Sequence, residues 1–313
     1  MRICSLVPGA TEVVVRLGLA DSLVGISHEC DYPAAIRHVP VMVRAAIDSE
    51  RSDSAGIDRQ VTALISSGQP MYRVDEWALA QARPDIILIQ DVCGVCAVTP
   101  PELERAIQSL SRKPQLLTLG PHSLADVLND VERIGNALDV RPQARDLAYS
   151  LRARIAAVRE RSIPHSSPRV VCLEWLDPLY VGGHWVPEMV EAAGGSDVLG
   201  HAGQPSRRVT MDEVREATPD ILIVMPCGFS TARAVTEATV LCRQKPAYAD
   251  LLLSAGRTYV VDAGSYFSRP GPRLVDGVEL MADICFGTAA RADRQDEAVR
   301  QLTADICRTS EPL

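Results

Sequence analysis

The chain contains no run of about 18 consecutive apolar residues, so the sequence predicts no membrane-spanning helix and no membrane insertion. Positive charge is not in excess either. Lys and Arg total 32 against 40 Asp and Glu, a formal net charge of −8. No basic run or basic–aromatic stripe offsets that balance, which argues against nucleic acid and anionic membrane as partners. Gly-x-Gly-x-x-Gly, a Walker loop, Gly-x-Ser-x-Gly and His-Glu-x-x-His are all missing. Their absence favours binding over catalysis without excluding chemistry on a cluster. The apolar stretch Ile3–Val7 is too short for a signal-peptide core and Pro8 interrupts it. With Met1 taken as the start, the expectation is a cytoplasmic protein.

What remains is an ordinary globular composition, 47% hydrophobic and 23% charged over 313 residues, enough for two domains. Apolar runs bounded by turn residues predict strands at Ile3–Leu6, Leu23–Ile26, Ile86–Gln90, Leu116–Leu119, Val170–Glu174, Ile221–Met225 and Thr258–Val261. Helical patterns alternate with them at Thr11–Leu19, Pro101–Ser109 and Leu124–Leu138. Pro142–Ile163 has no glycine or internal proline and predicts one long helix. Strands alternating with helices predict an α/β fold with parallel sheets.

The chain also repeats itself. Arg83-Pro84-Asp85-Ile86-Ile87-Leu88-Ile89 matches Thr218-Pro219-Asp220-Ile221-Leu222-Ile223-Val224. A looser echo pairs Val7-Pro8 through Gly18 with Val186-Pro187 through Gly194-Gly195. The expected organisation is an N-terminal α/β lobe over 1–122 and connecting helices over 123–167. A C-terminal α/β lobe follows over 168–288, then a charged tail over 289–313, read as a short helix.

Four of the nine cysteines sit in turn-like contexts at strand ends. Cys30 lies in Ser27-His28-Glu29-Cys30-Asp31-Tyr32-Pro33, Cys93 and Cys96 follow the strand at Ile86–Gln90, and Cys227 follows the strand at Ile221–Met225. Soft anionic thiolates suit zinc, Cu(I) or an iron–sulfur cluster. Ligands scattered over separate turns suit a cluster better than a zinc ribbon. Two other readings stay open: a redox dithiol at Cys93 and Cys96, and unreactive loop thiols. Cys4, Cys172, Cys242, Cys285 and Cys307 read as packing or incidental residues.

On Ser5-Leu6-Val7-Pro8-Gly9-Ala10-Thr11-Glu12, the Leu17-Gly18 to Val24-Gly25 segment, the linking helix, Glu174-Trp175-Leu176-Asp177-Pro178, Gly183-His184-Trp185-Val186-Pro187-Glu188 and Gly194-Gly195, the chain resembles a known family. That family is the helical-backbone type of periplasmic binding protein, which includes the vitamin B12-binding component of ABC importers and metal- and haem-binding relatives. Over roughly residues 1–288 the resemblance implies two Rossmann-like lobes joined by one long backbone helix, with a ligand cleft between the lobes. The chain is also similar to a leaderless subgroup carrying the motifs found here at His28–Pro33, Val95–Val98 and Pro226–Phe229.

Ligands in such folds sit at the carboxyl ends of strands. Placed there are Cys30, Cys93, Cys96 and Cys227 as candidate metal ligands, and His28, Glu174, Trp175, His184, Trp185, Phe229, Tyr266 and Arg269 as candidate ligand-binding residues. His28 and His184 suit a metal or a hydrogen bond, and equally an ordinary loop. His38, His122, His165 and His201 read as surface or loop residues. The aromatic residues suit a flat ligand such as a corrinoid or porphyrin, and core packing equally. The chain thus reads as a cytosolic ligand-binding protein similar to cobalamin-binding ABC solute receptors, its small-molecule or metal ligand in a cysteine-rich cleft. The cofactor expected is an iron–sulfur cluster, with zinc or cobalamin as alternatives. Alternative functions are a cluster-dependent enzyme or electron-transfer protein, and a corrinoid or tetrapyrrole binder with no metal site of its own. The sequence names no transporter partner.

Overall fold

The Pro-Asp-Ile repeat marks the start of an interior strand in each half of the chain. A computed structural model describes residues 1–92, 100–108, 110–162, 167–288 and 297–305. They form two units, one of Met1–Pro121, Ala125–Leu151 and Pro270–Pro272, the other of His122–Leu124, Arg152–Arg269 and Arg273–Leu313.

The strands of the first unit are β1 (Ile3–Ser5), β2 (Leu23–Ser27), β3 (Val41–Ala45), β4 (Tyr72–Val74), β5 (Ile86–Gln90) and β6 (Gln115–Leu119). Among the described residues they make one six-stranded sheet in the order β4-β3-β2-β1-β5-β6, antiparallel only between β3 and β4. Helices α1 (Pro8–Arg16), α2 (Ser54–Ser67), α3 (Glu76–Ala82), α4 (Pro100–Gln108) and α5 (Leu124–Ala137) alternate with the strands. Helix α6 (Arg141–Ser162) gives its residues up to Leu151 to this unit and the rest to the other. All five residues of β5 are buried, the pattern of an interior parallel strand.

The second unit has β7 (Arg169–Trp175), β8 (Tyr180–Val181), β9 (Ser196–Asp197), β10 (Arg207–Arg208), β11 (Ile221–Val224), β12 (Arg257–Val261) and β13 (Val299–Gln301). Its seven strands, among the described residues, run β10-β8-β7-β11-β12-β13, with β9 parallel to β7. Helices α7 (Val186–Ala192), α8 (Met211–Glu216), α9 (Thr231–Gln244), α10 (Pro246–Leu252), α11 (Ala263–Tyr266) and α12 (Leu274–Phe286) complete it. The parallel run β2-β1-β5-β6 thus has its counterpart in β9-β7-β11-β12. No helix among the described residues is long and apolar enough to cross a membrane.

The repeated residues do the same job in both units. Arg83 and Thr218 each take a left-handed backbone, φ 40° and 42°. The following aspartates then close onto the first strand of their sheet. Asp85 accepts from the Arg2 N–H at 2.8 Å and its own N–H donates to the Arg2 carbonyl at 2.8 Å. Asp220 does the same with Arg169, at 2.8 Å and 2.9 Å. The looser echo has a structural basis as well. Helices α1 and α7 both begin with a proline in the first turn, and Gly18 and Gly194 follow them at φ 80° and 87°, which glycine adopts without steric cost.

Asp220→Ala is therefore expected to cost about 1 kcal/mol of unfolding free energy, measured by chemical denaturation. Asp85 also predicts an acid limb. The Arg2 N–H holds its carboxyl below the ordinary value against the opposing effect of burial, and Arg112 adds to the lowering. Its contribution to stability is complete above the unfolded aspartate value of about 3.9 and is lost as pH falls through the lower folded value. Asp85→Asn should flatten that part of the pH–stability curve.

The tail read as a short helix also holds strand β13, with Val260 opposite Arg300 and Val261 opposite Val299, ahead of a helical start at Ala304 and Asp305. Val299 is buried and its neighbours Arg300 and Gln301 are exposed, so the strand pairs at the edge of β12 within a charged segment.

Candidate functional site

In the second unit the turns that follow β7 and β11, and the short helix α11 that follows β12, carry most of the predicted site residues and are tied together. The Cys227 N–H donates to the Glu174 carbonyl at 3.0 Å. The Gly228 N–H donates to Ser268 Oγ at 3.1 Å, and the Gly264 N–H to the Phe229 carbonyl at 3.0 Å. Gly228 sits at φ 77°, which lets the chain reverse between Cys227 and Phe229. Trp185 Nε1–H donates to the Phe267 carbonyl at 2.8 Å.

The aromatic residues form a specific arrangement. Trp175, half-buried at the end of β7, meets Phe229 edge-on with ring centroids 5.6 Å apart and planes at 67°. The Arg233 guanidinium lies 3.5 Å from the Phe229 ring centroid. Arg233 belongs to the first turn of α9, where its own N–H donates to the capping Ser230. Phe229 is buried beneath Arg233, so it positions its two neighbours, and it is the half-buried Trp175 ring and the Arg233 cation that can meet a flat, anionic or polarisable ligand. Tyr266 and Arg269 are half-buried in the segment that follows β12.

Glu174 is half-buried and its Oε1 accepts from the Ser206 hydroxyl. Ser206 lies where the backbone of Gln204, Pro205 and Ser206 presses on Gly183. The next residue, His184, stands in the left-handed region at φ 50° and its ring is 5.7 Å, centroid to centroid, from that of His122. Burial lowers the His184 pKa from its ordinary value, and the charge of His122 adds to this. The sequence reading placed His122 among surface or loop residues. No local pattern links it to His184, because the contact joins turns distant in sequence.

In the first unit, His28 is half-buried with Nδ1 3.2 Å from the Val43 carbonyl and Nε2 3.3 Å from Glu29 Oε1. Cys30 is buried, 4% exposed, with Sγ 3.1 Å from the Thr11 hydroxyl and within reach of the Ser5 carbonyl. Cys4, Cys172, Cys242 and Cys285 are buried. Burial pushes the Cys285 thiol up to about 11 and raises Cys4 and Cys172 as well, so these thiols stay protonated. Cys93 and Cys96 lie outside the described residues. Among the described residues, no group of three or more His, Cys, Asp or Glu side chains is placed to hold a metal ion.

A family model described as periplasmic binding protein matches residues 3–251. The vitamin B12-binding protein of Vibrio parahaemolyticus is 21% identical over 282 residues, covering 88% of this chain and 86% of that one. A periplasmic haem-binding protein from Pseudomonas aeruginosa has a similar fold, with a TM-score of 0.67 at 18% identity over 97% of this chain and 96% of that one. The periplasmic vitamin B12-binding protein of Vibrio cholerae gives a TM-score of 0.62 at 19% identity, over 93% and 98%.

Proposed function

Because the chain belongs to the periplasmic binding protein family, we propose that it is a solute receptor of the ABC-import type whose ligand is a corrinoid or a related metal-bearing macrocycle. The observation that carries this reading is the Trp175–Phe229–Arg233 arrangement at the carboxyl ends of β7 and β11. A large planar ring offers a π face and peripheral polar groups, and these side chains supply an aromatic edge and a fixed cation. The names of the relatives support the same ligand class: one is a vitamin B12-binding protein and another binds haem.

Equilibrium dialysis of the purified chain against hydroxocobalamin, iron protoporphyrin and a ferric hydroxamate tests the reading. Retention of the corrinoid in preference to the hydroxamate is expected. Retention of none of the three would remove the proposal.

The thiol set adds a finer proposal. A cytosolic receptor would hold a metal or an iron–sulfur cluster on thiolates drawn from this set. Its support is the placement of these cysteines after strands in the sequence. Iron, sulfide and zinc analysis of anaerobically purified protein is its test. Stoichiometric metal that disappears in Cys227→Ala supports it, and metal-free protein with no visible absorption rules it out.

A further inference from the structure

Three costs converge on His184. Its backbone is held at φ 50°, a region that residues other than glycine rarely occupy. The conformation is locked from both sides, since the His184 N–H donates to the Gln204 carbonyl at 2.6 Å and the His184 carbonyl accepts from the Gly203 N–H at 2.9 Å. The ring nitrogen Nδ1 is shut off from solvent and has no hydrogen-bond partner. Leaving such a group unsatisfied costs about 1–3 kcal/mol. The ring also lies beside a second imidazole, that of His122. The His184 ring also packs on Trp185, with centroids 5.7 Å apart, but packing accounts for neither the left-handed backbone nor the unsatisfied Nδ1. Together they mark a position kept for its ring.

We propose that His122 and His184 form a two-imidazole site for a borderline transition-metal ion such as Cu(II) or Zn(II), with water or a ligand group in the remaining coordination positions. The spacing fits. Metal–nitrogen bonds of about 2.0–2.1 Å, with each nitrogen roughly 1.1 Å from its ring centre, set two rings on one ion roughly 5–6 Å apart. The observed separation is 5.7 Å with planes tilted by 36°. A metal would also satisfy the orphaned Nδ1, which a neutral imidazole offers as an acceptor when its proton sits on Nε2. The ligand set is all nitrogen, the type imidazole sites offer to copper, nickel and zinc. His122 is exposed, so an ion reaches the pair from the His122 side, and it meets the covered His184 Nδ1 when that ring turns aside.

The inference goes beyond the solute reading, because it concerns a free ion on the chain whatever the receptor carries. The test uses the full chain, stripped with chelator and with reactive thiols alkylated beforehand, titrated with Cu(II) and followed by electron paramagnetic resonance. Copper heads the affinity order for such a site. One ion per chain with nitrogen hyperfine coupling from two imidazoles is expected. His122→Ala and His184→Asn should each weaken binding by roughly tenfold or more, the scale seen when even an outer partner of a metal ligand is lost. Asparagine tolerates the left-handed backbone, so His184→Asn removes the imidazole while keeping the turn. Calorimetry with Zn(II) provides the second readout. No saturable uptake by the wild type, or equal uptake by the wild type and both variants, would overturn the assignment.

Discussion

Phe229→Ala should lower the unfolding free energy by about 3–5 kcal/mol, the range for deleting a buried aromatic ring. The side chain is 2% exposed, and its backbone is pinned at both ends, through the N–H to the Pro226 carbonyl at 2.9 Å and through the carbonyl to the Gly264 N–H at 3.0 Å. The turn therefore cannot collapse to fill the space. Part of the loss is specific to the ring: its edge contact with Trp175 is of a kind worth about 0.5–1.5 kcal/mol beyond area burial. Arg233→Gln, which takes the cation from the ring face, should cost at least about 0.5–1 kcal/mol. Urea denaturation of the two variants checks both numbers. Phe229→Ala costing less than Arg233→Gln would mean that the ring is not packed as described.

Gly183→Ala should be strongly damaging for a single added methyl. A Cβ at this position would stand 2.4 Å from the Gln204 carbonyl oxygen, 2.5 Å from the Ser206 nitrogen and 2.6 Å from the Pro205 carbonyl carbon. All three are backbone atoms, so no side chain can rotate away and the 204–206 segment must move. That movement breaks the His184-to-Gln204 bond and withdraws the Ser206 hydroxyl from Glu174. Overpacking of this kind costs about 1–3 kcal/mol, and each lost hydrogen bond adds about 1 kcal/mol. Gly203→Ala is the control. Gly203 has φ 72° and nothing within 4 Å of an added Cβ, so only the backbone preference is lost, about 1–2 kcal/mol. Thermal unfolding should rank Gly183→Ala well below Gly203→Ala, and solute affinity should fall in the first far more than in the second.

Strands buried on both faces were legible in the sequence as continuous apolar runs. Ile86–Gln90 is apolar up to its final Gln and was read to the residue, and the Pro-Asp-Ile repeat announced the matching strand β11. The edge strand β6 was legible too, whereas β3 and β4 were missed, and so were the short strands of the second sheet. Strands β8, β9 and β10 have two residues each, too few to show any period, and β13 hides in charged sequence because only Val299 points inward. Of the candidate site residues, strand-end placement singled out Glu174, Trp175, His184, Trp185, Cys227 and Phe229, and the structure places all six in the second unit. Arg233 and Ser206 went unnoticed, one helical and the other in a polar loop, since their roles come from what they touch. Cys30 read as a turn residue among polar neighbours, yet Thr11 and Ser5 surround its sulfur inside the first unit. Linear context does not report burial that tertiary contacts create.

The central claim is that a macrocyclic solute rests on the aromatic and cationic side chains after β7 and β11. Calorimetric titration of hydroxocobalamin into the wild-type chain and into Trp175→Ala tests it most directly. Saturable binding with a Kd of about 1 μM or tighter, equivalent to about −8 kcal/mol, is expected for the wild type, with a loss of roughly tenfold or more in the variant, consistent with an aromatic anchor worth about 1–2 kcal/mol. Heats equal to dilution in the wild type, or identical affinities in the two proteins, would contradict it.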